Sequence, residues 1–160
     1  MSNSVCDILN IKKPIIQGPM AWISTAPLVA AVSNAGGLGV LGVGFAPLEF
    51  VKDQIEKTQK LTSKPFAINT VMIPGLLDGT TEIIQKMKPP VIYADTLENL
   101  DANLCEKYFS IWHKANCKII VKASKIDDAL IADKTGADLI IVKGWEGGGH
   151  TTLEATTVLV

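Results

Sequence analysis

The feature that most restricts the fold is a rhythm. Short β-branched runs begin near Pro14, Leu38, Pro65, Pro90, Lys118 and Asp138, at intervals of about 20 to 28 residues. That interval is the length of a βα unit. The runs are continuously apolar, as in Ile119-Ile120-Val121 and Leu139-Ile140-Ile141-Val142. Parallel strands covered on both faces read this way, because neither face is left for alternating polar residues. Strict alternation of strand and helix leaves two architectures, an open doubly wound sheet or a (β/α)8 barrel. Both use right-handed crossovers.

The helices between the runs have recognisable ends. The first is expected from Ser24 or Thr25, with Pro27 in its first turn, a stripe of Leu28, Val29, Val32 and Ala35, and Gly36 as its stop. The second carries Leu48, Val51, Ile55 and Leu61 inward, with Glu49, Asp53, Glu56 and Lys57 outward. A third, shorter helix is expected over Thr80 to Lys88. The fourth shows the clearest spacing: Leu97, Leu100, Leu104, Tyr108, Ile111, Trp112 and Ala115, with Thr96 as its cap. The fifth is expected from Ser124, with Asp127 three residues on, and to stop at Gly136.

Two strand ends run into glycine clusters. Leu139 to Val142 leads into Lys143-Gly144-Trp145-Glu146-Gly147-Gly148-Gly149-His150. Pro14-Ile15-Ile16 leads into Gln17-Gly18-Pro19-Met20-Ala21-Trp22. Glycine lets backbone pass close to a flat ligand, and His150 is one of only two histidines in the chain. An imidazole can hold or move a proton near neutral pH. Two such loops suggest a cofactor site at strand ends. The glycine pairs Gly37, Gly39 and Gly42, Gly44 lack a third glycine at the dinucleotide spacing, so that fingerprint is weak. His113 reads as a surface or helix-end residue, and Trp112 as packing.

Composition narrows the class. At 160 residues the chain is long enough for one domain with a real core. A hydrophobic share of 48%, a charged share of 19% and a net charge of -1 give no electrostatic reason to expect nucleic acid or an anionic membrane. No apolar run approaches a bilayer span, and Met1 to Asp7 shows no signal peptide. Cys6, Cys105 and Cys117 are odd in number and lack Cys-x-x-Cys spacing, which fits a reduced, cytoplasmic setting. No metal site is read.

Four motifs occur in order: Gln17 to Trp22, Val32-Ser33-Asn34-Ala35-Gly36-Gly37-Leu38-Gly39, Lys64-Pro65-Phe66-Ala67-Ile68-Asn69, and Glu146-Gly147-Gly148-Gly149-His150. Together they resemble the nitronate monooxygenase family, including the FMN-dependent enoyl-acyl-carrier-protein reductases. Gln17 to Trp22 and Gly42-Val43-Gly44-Phe45-Ala46-Pro47 look more like the reductase branch.

The resemblance implies a (β/α)8 TIM barrel of α/β class that binds FMN at the C-terminal ends of its strands. It implies that Pro19, Met20 and Ala21 pass close to the flavin ring, and that Asn69 hydrogen-bonds the cofactor. Gly148 and Gly149 would be backbone beside the flavin, and His150 the catalytic group at its reactive edge. Three departures stand out. Lys143 replaces the more usual Gln or Glu, and as a cation within reach of the flavin it would favour the anionic reduced form. Thr151 and Thr152 stand where a glycine is common. Ala94-Asp95-Thr96-Leu97 replaces a Gly-rich turn.

The whole of 1–160 then reads as the N-terminal portion of one FMN-binding barrel domain. About six βα units are expected, with the last two strands missing and the FMN phosphate loops with them. The implied activity is an enoyl-acyl-carrier-protein reductase using NAD(P)H, FMN and an acyl-thioester substrate. Two alternatives are a nitronate monooxygenase acting on small nitroalkanes or nitronates with O2, and a non-catalytic chain that needs a partner. Homo-oligomer formation, or completion by a C-terminal segment, would close the barrel.

Overall fold

The computed structural model describes residues 5–97, 99–150 and 153–160. Thr151 and Thr152 lie outside the described residues. Six strands form one sheet in the order β1-β2-β3-β4-β5-β6. They are β1 (Ile16–Gln17), β2 (Leu38–Leu41), β3 (Phe66–Val71), β4 (Val91–Asp95), β5 (Lys118–Ala123) and β6 (Leu139–Val142). Every neighbouring pair is parallel. Sequential parallel order is that of a barrel wall, and the sheet curls into an incomplete (β/α)8 barrel. The open doubly wound alternative is excluded, because its strand order reverses partway.

The helices are α1 (Val5–Leu9), α2 (Ala26–Asn34), α3 (Leu48–Leu61), α4 (Leu77–Met87), α5 (Ala102–Lys114), α6 (Ile126–Lys134) and α7 (Thr156–Leu159). Side-chain alternation splits the core into two layers. Leu41, Phe66, Ile68, Ile92, Ala94, Ile119 and Val121 point outward against α2 to α6. Leu38, Val40, Ala67, Val91, Tyr93 and Ile120 point inward and pack with Leu9 and Ile11. Helix α1 has no sequence signal of its own. It supplies Leu9 and the half-buried Val5, Cys6 and Ile8 to the interior layer at the N-terminal strand ends.

Several expected helix details are corrected. In α2 the buried face is Ala26, Val29, Ala30 and Ser33; Leu28 and Val32 are only half-buried and Ala35 is exposed. The helix lies so close to β2 that small residues must face it: a Cβ on Gly39 would sit 2.3 Å from Val29 O. The first N–H of α2 is capped from a neighbour, Ala26 N donating to Gln54 Oε1 at 2.9 Å. Gly36 does end the helix, with φ +97°.

In α3, Val51 and Ile55 are buried as expected, but Gln54 and Thr58 complete the face and Leu48 and Leu61 are exposed. Helix α4 begins at Leu77, three residues before Thr80. Thr96 does not cap α5. Asp101 does, accepting from Asn103 N and Leu104 N, and Leu97 and Leu100 precede the helix. Lys125, not Ser124, precedes the first turn of α6, without a side-chain cap. Trp112 is fully buried, with Nε1 donating to Thr81 Oγ1 at 3.1 Å. His113 pairs with Asp138 at 2.9 Å on the surface. Among the described residues no helix is long and apolar enough to cross a membrane.

Candidate functional site

The C-terminal strand ends enclose a cleft of about 650 Å³. Gly18, Pro19, Met20 and Ala21 line it from the loop after β1, Asn69 from β3, and Lys143, Gly148, Gly149 and His150 from the loop after β6. Every residue singled out in the sequence as catalytic or cofactor-binding therefore reaches one cavity. Trp145, in the same glycine loop as His150, is 62% exposed and outside the lining.

Loop 18–25 is held by the half-buried Gln17 and the buried Ser24. Gln17 Nε2 donates to Gly18 O, to Ser24 Oγ at 2.8 Å and to Val40 O at 3.3 Å. Gln17 Oε1 accepts from Val40 N at 3.3 Å. Ser24 Oγ also accepts from Met20 N at 3.0 Å. Trp22, at φ 65°, turns the chain back. Gly42 is needed at the end of β2 because a Cβ there would lie 2.3 Å from Met20 O. Met20 is thus carried to the rim, 42% exposed.

Asn69 is 7% exposed, so its amide must be accounted for. Its Oδ1 accepts from Gly44 N at 3.0 Å. Its Nδ2 has only a marginal contact to Thr70 O at 3.5 Å. An amide donor is therefore available inside the cleft.

Lys143 is half-buried and does not simply reach into solvent. Its Nζ donates to Gly148 O at 2.6 Å, which ties the glycine loop to the end of β6. Its stem lies where a Cβ of residue 147 would be, 2.5 Å from Lys143 Cγ, so Gly147 makes room for it. Burial, and then the Lys122 ammonium, hold the Lys143 ammonium below the ordinary lysine range, with Asp95 opposing. The far side of the loop is fixed to α7: Gly144 N donates to Thr156 Oγ1 at 2.9 Å, and Thr156 N to the Glu146 carboxylate at 3.0 Å. Gly148 itself faces open space, with nothing within 4 Å of a Cβ placed on it.

Among the lining residues that the sequence did not mark as site groups are Phe45, Val71, Tyr93 and Lys122. Lys122 is 2% exposed; its Nζ lies 2.7 Å from Asp95 Oδ1 and donates to Thr96 O at 2.6 Å. Thr96 Oγ1 donates back to Lys122 O at 2.8 Å. That reciprocal clamp fixes the 95–97 wall that the unusual Ala94-Asp95-Thr96-Leu97 segment forms. Burial, reinforced by Asp95, pushes the Tyr93 phenol well above its ordinary range. The available signal was a lone lysine inside the apolar run Ile119-Ile120-Val121-Lys122-Ala123.

The cleft can hold a flat polar ligand. Its volume lies in the range of small-molecule sites, about 300–1,000 Å³. Gly18 and Gly148 leave backbone uncovered, since a Cβ on either would meet nothing within 4 Å. The under-used Asn69 amide offers a donor, and His150 can hold a proton. Among the described residues there is no cluster of three or more His, Cys, Asp or Glu that could hold a metal.

Comparison with known proteins bears on the family and the fold. The family profile described as nitronate monooxygenase matches residues 2–159. A probable nitronate monooxygenase of Staphylococcus aureus strain Newman is 33% identical over 92% of this chain and 50% of its own length. The structure of FabK from Thermotoga maritima superposes with a TM-score of 0.88 and 33% identity, over 97% of this chain and 48% of that one. Nitroalkane oxidase from Streptomyces ansochromogenes shares the fold, with a TM-score of 0.79 at 23% identity over 96% of this chain and 52% of that one. The chain spans about half the length of the curated relatives it matches.

Proposed function

The chain belongs to the nitronate monooxygenase family, and on that premise we propose that it carries the flavin-facing part of an FMN-dependent oxidoreductase. The proposed reductant is NAD(P)H and the proposed acceptor an enoyl thioester. The observation that carries this reading is the convergence of Gly18 to Ala21, Asn69 and Gly148 to His150 on one cleft at the strand ends. The 33% identity to FabK supports the reductase side. The activity is proposed for the closed barrel. Closure would come from further βα units, which the greater length of the relatives accommodates, or from a second copy of the chain.

Uncovered backbone at Gly18, Gly148 and Gly149 would lie along the cofactor, and the Asn69 amide would donate to it. When bound, FMN supplies the redox chemistry; the protein supplies binding, orientation and electrostatics. Lys143 holds the Gly148 carbonyl and so sets the path of the loop that presents His150. His150 stands exposed on the rim, where its imidazole can give a proton to, or take one from, a carbon acid in the cleft.

The second reading, oxidation of a nitronate with O2, is favoured by the names of the curated relatives. It uses the same residues, with His150 accepting the α-proton. The deciding experiment takes purified protein showing a flavin spectrum and assays it with NADH or NADPH plus a crotonyl thioester, and separately with a nitroalkane. His150→Ala is expected to lower turnover by about 10²–10⁴-fold with flavin content little changed. A closed barrel, completed by further βα units or by a second copy, that stays colourless and takes up no FMN refutes both readings and leaves a non-catalytic role.

A further inference from the structure

The floor of the cleft carries more positive than negative charge. Asp95, Lys122 and Lys143 stand at the ends of β4, β5 and β6 and line it together. An ammonium has three N–H donors. Lys122 donates one to Thr96 O and stands 2.7 Å from Asp95 Oδ1 as an ion pair in which that oxygen accepts no hydrogen bond. Among the described residues no acceptor takes the other two. Lys143 directs one at Gly148 O. One carboxylate thus stands against two ammoniums, and Lys122 is only 2% exposed, where water compensates a charge poorly. The imbalance is felt at Lys143, which is disfavoured as a cation first by burial and then by Lys122.

From this geometry we propose that Lys122, held by Asp95 and flanked by Lys143, forms a seat for one anionic oxygen of a small ligand. The ligand class is an oxyanion conjugated to carbon. A nitronate oxygen fits, as does a thioester carbonyl oxygen on which negative charge develops. A fixed cation in a water-poor position, as Lys122 is, stabilises such charge far better than solvent does. The identity of the ligand rests on the functional reading above; the seat itself rests on the charges alone.

Nitrate tests the seat, being planar, singly charged and close in shape to a nitro group. It is titrated into the protein at constant ionic strength, with ¹³Cε-labelled lysines followed by NMR. Two lysine signals are expected to shift, and to be those missing from Lys143→Gln and from the paired Asp95→Asn/Lys122→Met variant. Asp95 and Lys122 are replaced together because Lys122→Met alone leaves a carboxylate without its partner. Nitrate affinity is expected to fall about tenfold to a hundredfold in the paired variant, the effect of one charged hydrogen bond. If that variant does not fold, Lys143→Gln carries the test, with a loss of about tenfold expected.

Lysine signals unmoved at saturating nitrate overturn the proposal, and so does unchanged affinity in the variants. The titration is then repeated on protein saturated with FMN. Nitrate that still binds supports a substrate seat. Nitrate excluded by FMN assigns the charge to the cofactor and overturns it. FMN uptake, followed separately by fluorescence quenching, keeps the two readings apart. Protein that takes FMN but no nitrate loses the seat and keeps the proposed function; protein that takes nitrate but no FMN does the reverse.

Discussion

Asn69 makes one structural bond and leaves one donor facing the cleft, and two substitutions separate the two atoms. Its Oδ1 accepts the Gly44 amide at 3.0 Å, and its Nδ2 is left for the cleft. Asn69→Ala removes both atoms. The Gly44 N–H then loses its partner in a half-buried position, which costs about 1 kcal/mol for the bond and up to about 3 kcal/mol if water cannot replace it. In a chain of this size each kcal/mol lowers the melting temperature by about 2–4 °C. Asn69→Asp keeps an acceptor for Gly44 but replaces the amide donor with a second carboxylate oxygen. Its melting temperature at pH 7 is expected to fall as well, because a carboxylate is placed where the side chain is only 7% exposed, so the Gly44 bond is read from Asn69→Ala. The FMN affinity of Asn69→Asp is expected to fall about tenfold to a hundredfold, the loss of one well-placed donor. Differential scanning fluorimetry and FMN fluorescence quenching, run on the same three proteins, read the bond and the donor in turn. If Asn69→Ala melts like wild type, the Gly44 bond is not what holds this wall. If Asn69→Asp binds FMN like wild type, the Nδ2 donor has no cofactor role.

Gly39→Ala should destabilise by about 1–3 kcal/mol or more, because its Cβ would lie 2.3 Å from Val29 O and 2.7 Å from Val29 Cα, both backbone of α2; a chemical denaturation midpoint equal to wild type would refute that close approach. Burial raises the thiols of Cys105 and Cys117 to about 11, so a disulfide reagent at pH 7.5 should titrate one cysteine, Cys6, in the native protein and three in urea. Burial alone would raise the Asp138 carboxyl, but bonds from Lys118, His113 and the Ile119 amide outweigh it and hold it below 3.8. Its stabilising effect is therefore complete above that value and lost as pH falls through the lowered native one. Asp138→Asn should separate from wild type in urea midpoint at pH 6 and converge with it near pH 2; a gap that persists at pH 2 would show that the aspartate acts by shape and not by charge.

The barrel was legible because its strands announce themselves without help from the rest of the chain. Each is an apolar run bounded by a turn signal, and all six expected starts lie within two residues of the observed ones. Helix faces were less legible where a neighbour sets the rule. Periodicity marked Leu28 and Val32 for the inner face of α2, but the close approach to Gly39 admits only Ala26, Val29, Ala30 and Ser33. Thr96 reads locally as a cap for α5. In the fold its hydroxyl reaches Lys122 O, 26 residues away, and Asp101 takes over the cap.

The same division explains the site. Gly18 to Ala21 and Gly147 to His150 are contiguous motifs, so their chemistry shows in one stretch of chain. Tyr93, Asp95 and Lys122 matter only through register. Asn69 stands beside Tyr93, and Asp95 beside Lys122, across neighbouring strands. Residues 120 and 122 face the barrel interior while 119 and 121 face the helices, so a charge at position 122 falls into the cleft and one at 121 would fall into the hydrophobic layer. Nothing in the linear order distinguishes those two outcomes, because a shift of one residue exchanges the faces. The ion pair beneath the cleft is therefore information held in strand pairing, and it could be read only once Val91 was seen to lie opposite Lys118.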